Sequence, residues 1–196
     1  MAVILASASP RRRELLEMLG VRKLTVIPAR GEERAPEGAP AAEAVEAISR
    51  AKALEVAEQC SPGDVIIAAD TVVCVDGDIL GKPRSEEEAR GMLRRLSGRA
   101  HEVFTGVTVI YGGAVHCAAE RTEVRFRALG DEEIAAYVAT GEPMDKAGAY
   151  GIQGRGGIFV EGIRGDYFNV VGLPLCRLAG MLRQLGVDPW EGEVDG

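Results

Sequence analysis

Soft metal ligands are scarce in this 196-residue chain, which has four cysteines and two histidines. Cys60, Cys74, Cys117 and Cys176 are scattered, with no CxxC pair and no flanking histidines. That excludes a zinc ribbon, argues against a disulfide framework and points to a reducing compartment. His101 and His116 both lie in strand-like runs, where a solvated or hydrogen-bonded imidazole is the ordinary outcome. No apolar run approaches the roughly 18 residues of a membrane span, and the first residues lack a signal-peptide core. A basic excess is also lacking: the net charge is −7 and the pI about 5.0. This balance speaks against broad contact with nucleic acid, which needs a basic face. A small phosphorylated ligand stays open if cations gather locally. The absences together predict a cytosolic protein that works neither on nucleic acid nor at a membrane.

What is present is an ordinary globular composition, 46% hydrophobic and 27% charged, with a mean hydropathy of +0.02. A chain of this size buries roughly 70% of its unfolded surface and needs no staple. Strand and helix patterns alternate. Val3 to Ala6 is a short apolar strand, followed by a helix from Pro10 to Gly20 with Leu15, Leu16 and Leu19 on one face. Leu24 to Pro28 reads as a strand, Ala29 to Pro40 as a polar loop, and Ala42 to Cys60 as an alanine-rich helix with Val45, Ile48 and Ala51 inward. Asp64 to Ala69 is an apolar strand, and Thr71 to Val75 continues extended into a turn at Asp76-Gly77-Asp78. A helix opens on the capping box Ser85 to Glu88 and stops at Ser97-Gly98. Ala100 to Tyr111 and Ala114 to Phe126, joined by Gly112-Gly113, form the strongest hairpin signal. Then come a helix from Asp131 to Gly141, a glycine-rich stretch from Gly148 to Gly157, a strand from Ile158 to Glu161 and a helix from Pro174 to Gly186. The acidic tail starts at about residue 187. The expectation is α/β: a mixed sheet flanked by helices, in one continuous domain over residues 1–196.

Local rules are broken in three places. Arg11, Arg12 and Arg13 occupy the first turn of a helix, where cations oppose the macrodipole by about 0.3–1 kcal/mol each. The helix opening with Glu86, Glu87 and Glu88 obeys the same rule, so the exception is specific. Three guanidiniums, the hydroxyls of Ser7 and Ser9 and free N–H groups make a polyanion site; the plainer alternative pairs the arginines with surface carboxylates. Second, Asp70 directly follows the most hydrophobic strand, either as a turn residue or as a catalytic carboxylate at a strand end. Glu32, Glu33 and Lys82 are its prospective company, a set suited to metal-assisted phosphoryl chemistry. Third, the glycines at 148, 151, 154, 156 and 157 let backbone approach a ligand, though this is neither a Walker A loop nor a GxGxxG run. Gln153 within it carries a donor and an acceptor on one plane, suited to a nucleobase edge.

The blocks Leu5-Ala6-Ser7-Ala8-Ser9-Pro10-Arg11-Arg12-Arg13-Glu14-Leu15-Leu16, Ala69-Asp70-Thr71-Val72-Val73, Gly81-Lys82-Pro83, Leu96-Ser97-Gly98-Arg99-Ala100-His101, Asp145 to Gly154 and Val170-Val171-Gly172-Leu173-Pro174-Leu175 occur in order. Together they resemble the Maf family over nearly the whole chain. The resemblance implies an elongated mixed sheet with two lobes around a central cleft, similar to the inosine triphosphate pyrophosphatase fold. It also implies a nucleoside triphosphate pyrophosphatase using Mg²⁺ or Mn²⁺, commonly a homodimer, with a second possible role in septum formation. The block around Gln153 resembles the branch acting on dTTP and UTP. By motif position, Asp70 corresponds to the catalytic proton acceptor and Arg12, Thr71 and Gln153 to specificity positions. Ser7, Arg12, Arg13, Lys52 and Lys82 correspond to phosphate-contacting positions. Glu32, Glu33 and Asp70 are the candidate metal-side carboxylates that the resemblance implies, with the choice between Glu32 and Glu33 open. A Gln153 that reads uracil against cytosine needs a pinned amide, and the glycine-rich backbone is the expected anchor. A nucleotide-binding regulator without hydrolysis and a generic anion binder are the competing classes.

Overall fold

The computed structural model describes residues 1–21 and 23–188. The expected acidic tail lies, from residue 189 on, outside the described residues. In chain order the regular elements begin β1 (Val3–Leu5), α1 (Pro10–Met18), β2 (Leu24–Val26), α2 (Ala41–Ala57), β3 (Val65–Val75) and β4 (Asp78–Leu80). They continue α3 (Glu86–Leu96), β5 (Ala100–Tyr111), β6 (Ala114–Phe126), α4 (Asp131–Val138), β7 (Val160–Arg164), α5 (Tyr167–Val171) and α6 (Leu175–Gln184). Seven strands form one sheet in the order β2-β1-β3-β5-β6-β7, with β4 added to β3. β1 pairs parallel with β2 and β3, and every other pairing is antiparallel, so the sheet is mixed as expected.

Side-chain alternation along β3 divides the interior. Ile66 and Ala68 pack with Ala53 and Val56 of α2. Ile67 and Ala69 pack on the opposite face with Leu15 and Leu16 of α1 and Leu178 of α6. Farther along, Val73 and Val75 join a separate core with Leu93 of α3, Ile134 of α4 and Phe159. The stripe of α2 runs Ala41, Ala44, Val45, Ile48, Ser49, Ala53 and Val56. Ala51, expected inward, is exposed, because 3.6-residue periodicity carries the stripe from Ile48 past Ala51 to Lys52 and Ala53.

The hairpin forms as read: Tyr111 opposes Ala114 across Gly112 and Gly113, whose φ values of 58° and 82° suit a tight primed turn. Two further readings are corrected and one element went unread. β3 is one uninterrupted strand of eleven residues, so Asp70 sits at its middle rather than at a strand end or turn. Asp70 pairs with Gly106 in the β3–β5 ladder, and Lys52 meets its charge, so nothing forces the strand to stop. The strand expected at Ile158 to Glu161 begins instead at Val160, after a 3₁₀ turn over Arg155–Phe159. The short helix α5 gave no periodic signal; the Asp166 carboxylate caps it by accepting from Phe168 N at 2.7 Å.

Candidate active site

One edge of β3 has a gap. β1 accompanies it only as far as Leu5 opposite Ile67, and β4 takes up pairing again at Val73. Between them, residues around Asp70 and Thr71 border a cavity of about 800 Å³. Because the strand edge is open there, side chains from both sheet faces reach the same space: Asp70 from the α2 side and Thr71 from the α1 side. The cavity is also lined by Ser7, Arg11, Arg12, Glu33, Lys52, Lys82, Asp145 and Gln153.

The arginine cluster at the start of α1 divides. Arg12 turns inward: Nε donates to Gly172 O at 2.9 Å, Nη1 to Ser7 Oγ at 3.0 Å and Nη2 to Thr71 Oγ1 at 3.1 Å. These use three of the five guanidinium N–H groups and leave two. Thr71 is bonded to Thr105 Oγ1 at 2.9 Å, and Thr105 in turn donates to Asn169 O. The Thr71 proton is thereby committed, so Thr71 supports Arg12 and keeps only acceptor capacity. Burial lowers the Arg12 pKa, with Asp70 opposing and Arg11 adding to the effect; a guanidinium nevertheless stays charged. Arg13, expected at the phosphates, points away and pairs with exposed Glu17 at 2.8 Å. The residue that lines the cavity beside Arg12 is Arg11, which reaches Asp145 at 3.5 Å. Helical geometry decides this: successive side chains are about 100° apart, so a run of three cannot share one face.

Opposite Arg12 stands a charge group in which Lys52 and Asp70 are buried and Glu33 is exposed. Lys52 Nζ donates to Asp70 Oδ1 at 2.7 Å and pairs with Glu33 Oε1 at 2.8 Å. The side chains of Lys52 and Asp70 are each only 12% exposed. Asp70 Oδ2 has no hydrogen-bond partner among the described residues. Burial alone would raise the Glu33 pKa, but the hydrogen bond and charge of Lys52, with Lys82 and Arg12 beyond, hold it below the ordinary value. Glu32 points elsewhere and pairs with Arg34, so of the two glutamates it is Glu33 that joins the site. A close approach of α2 makes this possible. A Cβ added to Gly106, the partner of Asp70, would lie 2.2 Å from Val45 O, so only glycine lets the helix sit this near the sheet.

The glycine-rich stretch borders the cavity through Gly151 and Gly154 and also packs closely on the protein behind it. Added Cβ atoms would meet the protein itself: Glu142 Oε1 at 2.4 Å from Gly154, Lys146 at 2.5 Å from Gly151, and the Tyr137 hydroxyl at 2.7 Å from Gly156. The glycines therefore wrap the loop around its own anchors. Gln153 lines the cavity, but its exposed carboxamide makes no hydrogen bond among the described residues, so no pinned amide is found there. Behind the loop, Tyr150 donates to or accepts from His101 Nε2 at 2.8 Å, and His101 Nδ1 is buried without a partner among the described residues.

That burial pushes the His101 pKa down to about 4. The unfolded chain takes up a proton near pH 6.5, while the native state stays neutral until about pH 4. Stability is therefore full above the unfolded value and falls as pH drops through that window. The expected loss is about 3 kcal/mol by pH 4. Urea unfolding at several pH values checks this, with His101→Asn expected to flatten the profile; parallel profiles would place the acid sensitivity elsewhere.

Among the described residues no group of three or more His, Cys, Asp or Glu side chains could hold a metal ion as a protein cage. Glu33 and Asp70, both within hydrogen-bond distance of one ammonium, form a smaller oxygen donor pair. Such a pair fits a Mg²⁺-like ion that keeps water and shares the phosphates of a ligand. Sequence reasoning missed Glu142 and Tyr137. Glu142 lies just before the glycine-rich block, and the only signal available was the density of glycine that follows it.

These features make up one candidate active site: a cavity opened by a gap in a mixed sheet, walled by a strand-to-helix arginine and floored by a buried lysine–aspartate pair. The Maf-like protein family model matches residues 2–185, and the chain belongs to that family. Curated relatives include a dTTP/UTP pyrophosphatase of Thermococcus kodakarensis, 53% identical over 95% of this chain and 97% of the relative. Another, of Agathobacter rectalis and of the same description, is 51% identical over 95% and 98%. Among solved structures, the Ham1 protein of Staphylococcus aureus matches with a TM-score of 0.52 at 15% identity, over 94% of this chain and 100% of that one. This last likeness is one of fold alone, and it agrees with the fold that the resemblance implied.

Proposed function

We propose that this protein hydrolyses dTTP and UTP between the α- and β-phosphates, releasing the nucleoside monophosphate and pyrophosphate. The observation that carries this reading is the buried Asp70, tied to Lys52 on the floor of a cation-lined cavity. Relatives of the same name at about half identity support the choice of substrate.

Arg11, Arg12 and Lys82 receive the triphosphate, Arg12 through its two uncommitted N–H groups. Lys52 holds Asp70 Oδ1, which leaves Oδ2 to orient a water molecule and accept its proton. The water oxygen bonds to the α-phosphorus, the bond from that phosphorus to the bridging oxygen breaks, and the electron pair leaves with pyrophosphate. Lysine and arginine charges offset the negative charge gathering on the leaving group. Five cationic side chains face four carboxylates around the cavity, namely Arg11, Arg12, Lys52, Lys82 and Lys146 against Glu33, Asp70, Glu142 and Asp145. This small surplus falls short of a triphosphate, which favours a divalent cation. Mg²⁺ or Mn²⁺, held by Glu33 and Asp70 with the phosphates, would supply the missing positive charge.

Gln153 meets the base. Uracil and thymine present an N3–H donor beside the O4 acceptor, and a carboxamide pairs with both. The same reading carries a cytoplasmic setting and the homodimer common to the family. The septum-related role rests on no feature of the cavity, and hydrolysis stands without it.

The test is incubation with dTTP, UTP, CTP or GTP and Mg²⁺, followed by chromatography of the products. Monophosphate and pyrophosphate from dTTP and UTP are expected, with activity lost in excess chelator. Diphosphate with orthophosphate, or full activity in chelator, would overturn the mechanism. Tight binding without turnover would favour the regulatory class.

A further inference from the structure

Among the described residues the Gln153 carboxamide has no hydrogen-bond partner, so its place at the cavity depends on the backbone that carries it. That backbone is held at both ends by two side chains. Upstream of Gln153, Gly151 N donates to the Tyr137 hydroxyl at 3.2 Å. Downstream, Arg155 N donates to Glu142 Oε2 at 3.0 Å and Gly156 N to Oε1 at 3.2 Å. The anchors are joined, because the Tyr137 hydroxyl donates to Glu142 Oε1 at 2.9 Å. Three N–H groups of one loop thus converge on a single tyrosine–carboxylate pair. Burial alone would raise the Glu142 pKa, yet the N–H groups and the hydroxyl hold it low, which keeps the carboxylate ionised as an acceptor. Tyr137 is 4% exposed on α4 and edge-on to Phe159, so one end of the pair is rooted in the core.

We infer that Tyr137 and Glu142 are positioning residues for base selection: they fix the loop of residues 151–156 and so decide how Gln153 meets the nucleobase. This rests on the dTTP/UTP reading above and extends it. The arrangement separates two tasks. Phosphates are received by Arg11, Arg12 and Lys82, none of which bonds to the pair. The base is read by an amide whose free rotation would let cytosine satisfy it as well as uracil. The loop backbone sets where that amide stands, and the pair holds the backbone. The glycines follow from the same geometry, since a methyl at Gly154 or Gly156 would strike the carboxylate or the hydroxyl.

Two variants probe the pair without touching the phosphate groups. Tyr137→Phe removes the hydroxyl and keeps the ring in the core. Gly154→Ala sets a methyl 2.4 Å from Glu142 Oε1 and displaces the carboxylate without changing its charge. The readout is kcat/KM for UTP over CTP, alongside inhibition by inorganic pyrophosphate and amide hydrogen exchange of residues 151–156. Each variant is expected to lose roughly tenfold in the UTP-to-CTP ratio, mainly through KM, the scale of one hydrogen bond to a charged group. Pyrophosphate inhibition should stay within about twofold of the parent, and exchange in the loop should quicken. An unchanged ratio with faster exchange would overturn the proposal and leave the pair a structural brace. Equal weakening of pyrophosphate and nucleotide would also overturn it, by moving the effect to the phosphates. A parent that turns over no triphosphate would overturn the functional reading itself, whereas a selective parent with equally selective variants would overturn only this inference.

Discussion

Asp70→Asn is expected to lower kcat for dTTP by about 10²- to 10⁴-fold, the usual cost of a lost general base. The fold should survive. Asparagine keeps the shape, and its carbonyl oxygen still accepts from Lys52, which sits 2.7 Å from Oδ1 in the parent. Lys52 also retains Glu33 at 2.8 Å, so no cation is stranded. What is lost is the ability to accept a proton from water. Single-turnover kinetics with thermal unfolding separates the two effects: a variant with near-normal kcat would mean that Asp70 only anchors Lys52. A variant that unfolds many degrees early would show that the carboxylate is needed for the fold.

Lys52→Met should act the other way, on stability first. Methionine matches the length of the stem but leaves Asp70 buried at the middle of β3 with no cation, and Glu33 beside it. Removing one partner of a buried pair costs about 3–5 kcal/mol. For a domain of this size that corresponds to a drop in Tm of roughly 10 °C. Activity should fall as well, since Asp70 loses the contact that orients it. The double variant Lys52→Met/Asp70→Asn should recover most of the stability and none of the activity, because the stranded charge is then gone. A single variant within about 0.5 kcal/mol of the parent would show that water solvates the pair.

Much of this was legible along the chain. The misplaced arginines of α1, the carboxylate inside an apolar run and the glutamine in a glycine-rich block were all visible as breaches of local rules, and all three border one cavity. Local rules could not say which arginine faces inward. Helix rotation relative to the sheet chooses Arg12 for the clamp with Ser7, Thr71 and Gly172 and turns Arg13 to Glu17. Nor could they say that Asp70 stays within its strand, since its tolerance there depends on Lys52, 18 positions away on another element.

The sequence by itself determined the class of fold, the hairpin and most helices, because hydrophobic period, caps and turn glycines act within a few residues. It also singled out the chemistry, since charges placed against the macrodipole or after an apolar run are visible without coordinates. The tertiary structure alone decided which side chains meet. Glu33 rather than Glu32, Arg11 rather than Arg13, and Gly154 packed on Glu142 all follow from how distant elements dock. The physical reason is range: backbone preference is set by near neighbours, while the energy of a buried charge is set by whatever the fold brings within about 4 Å of it.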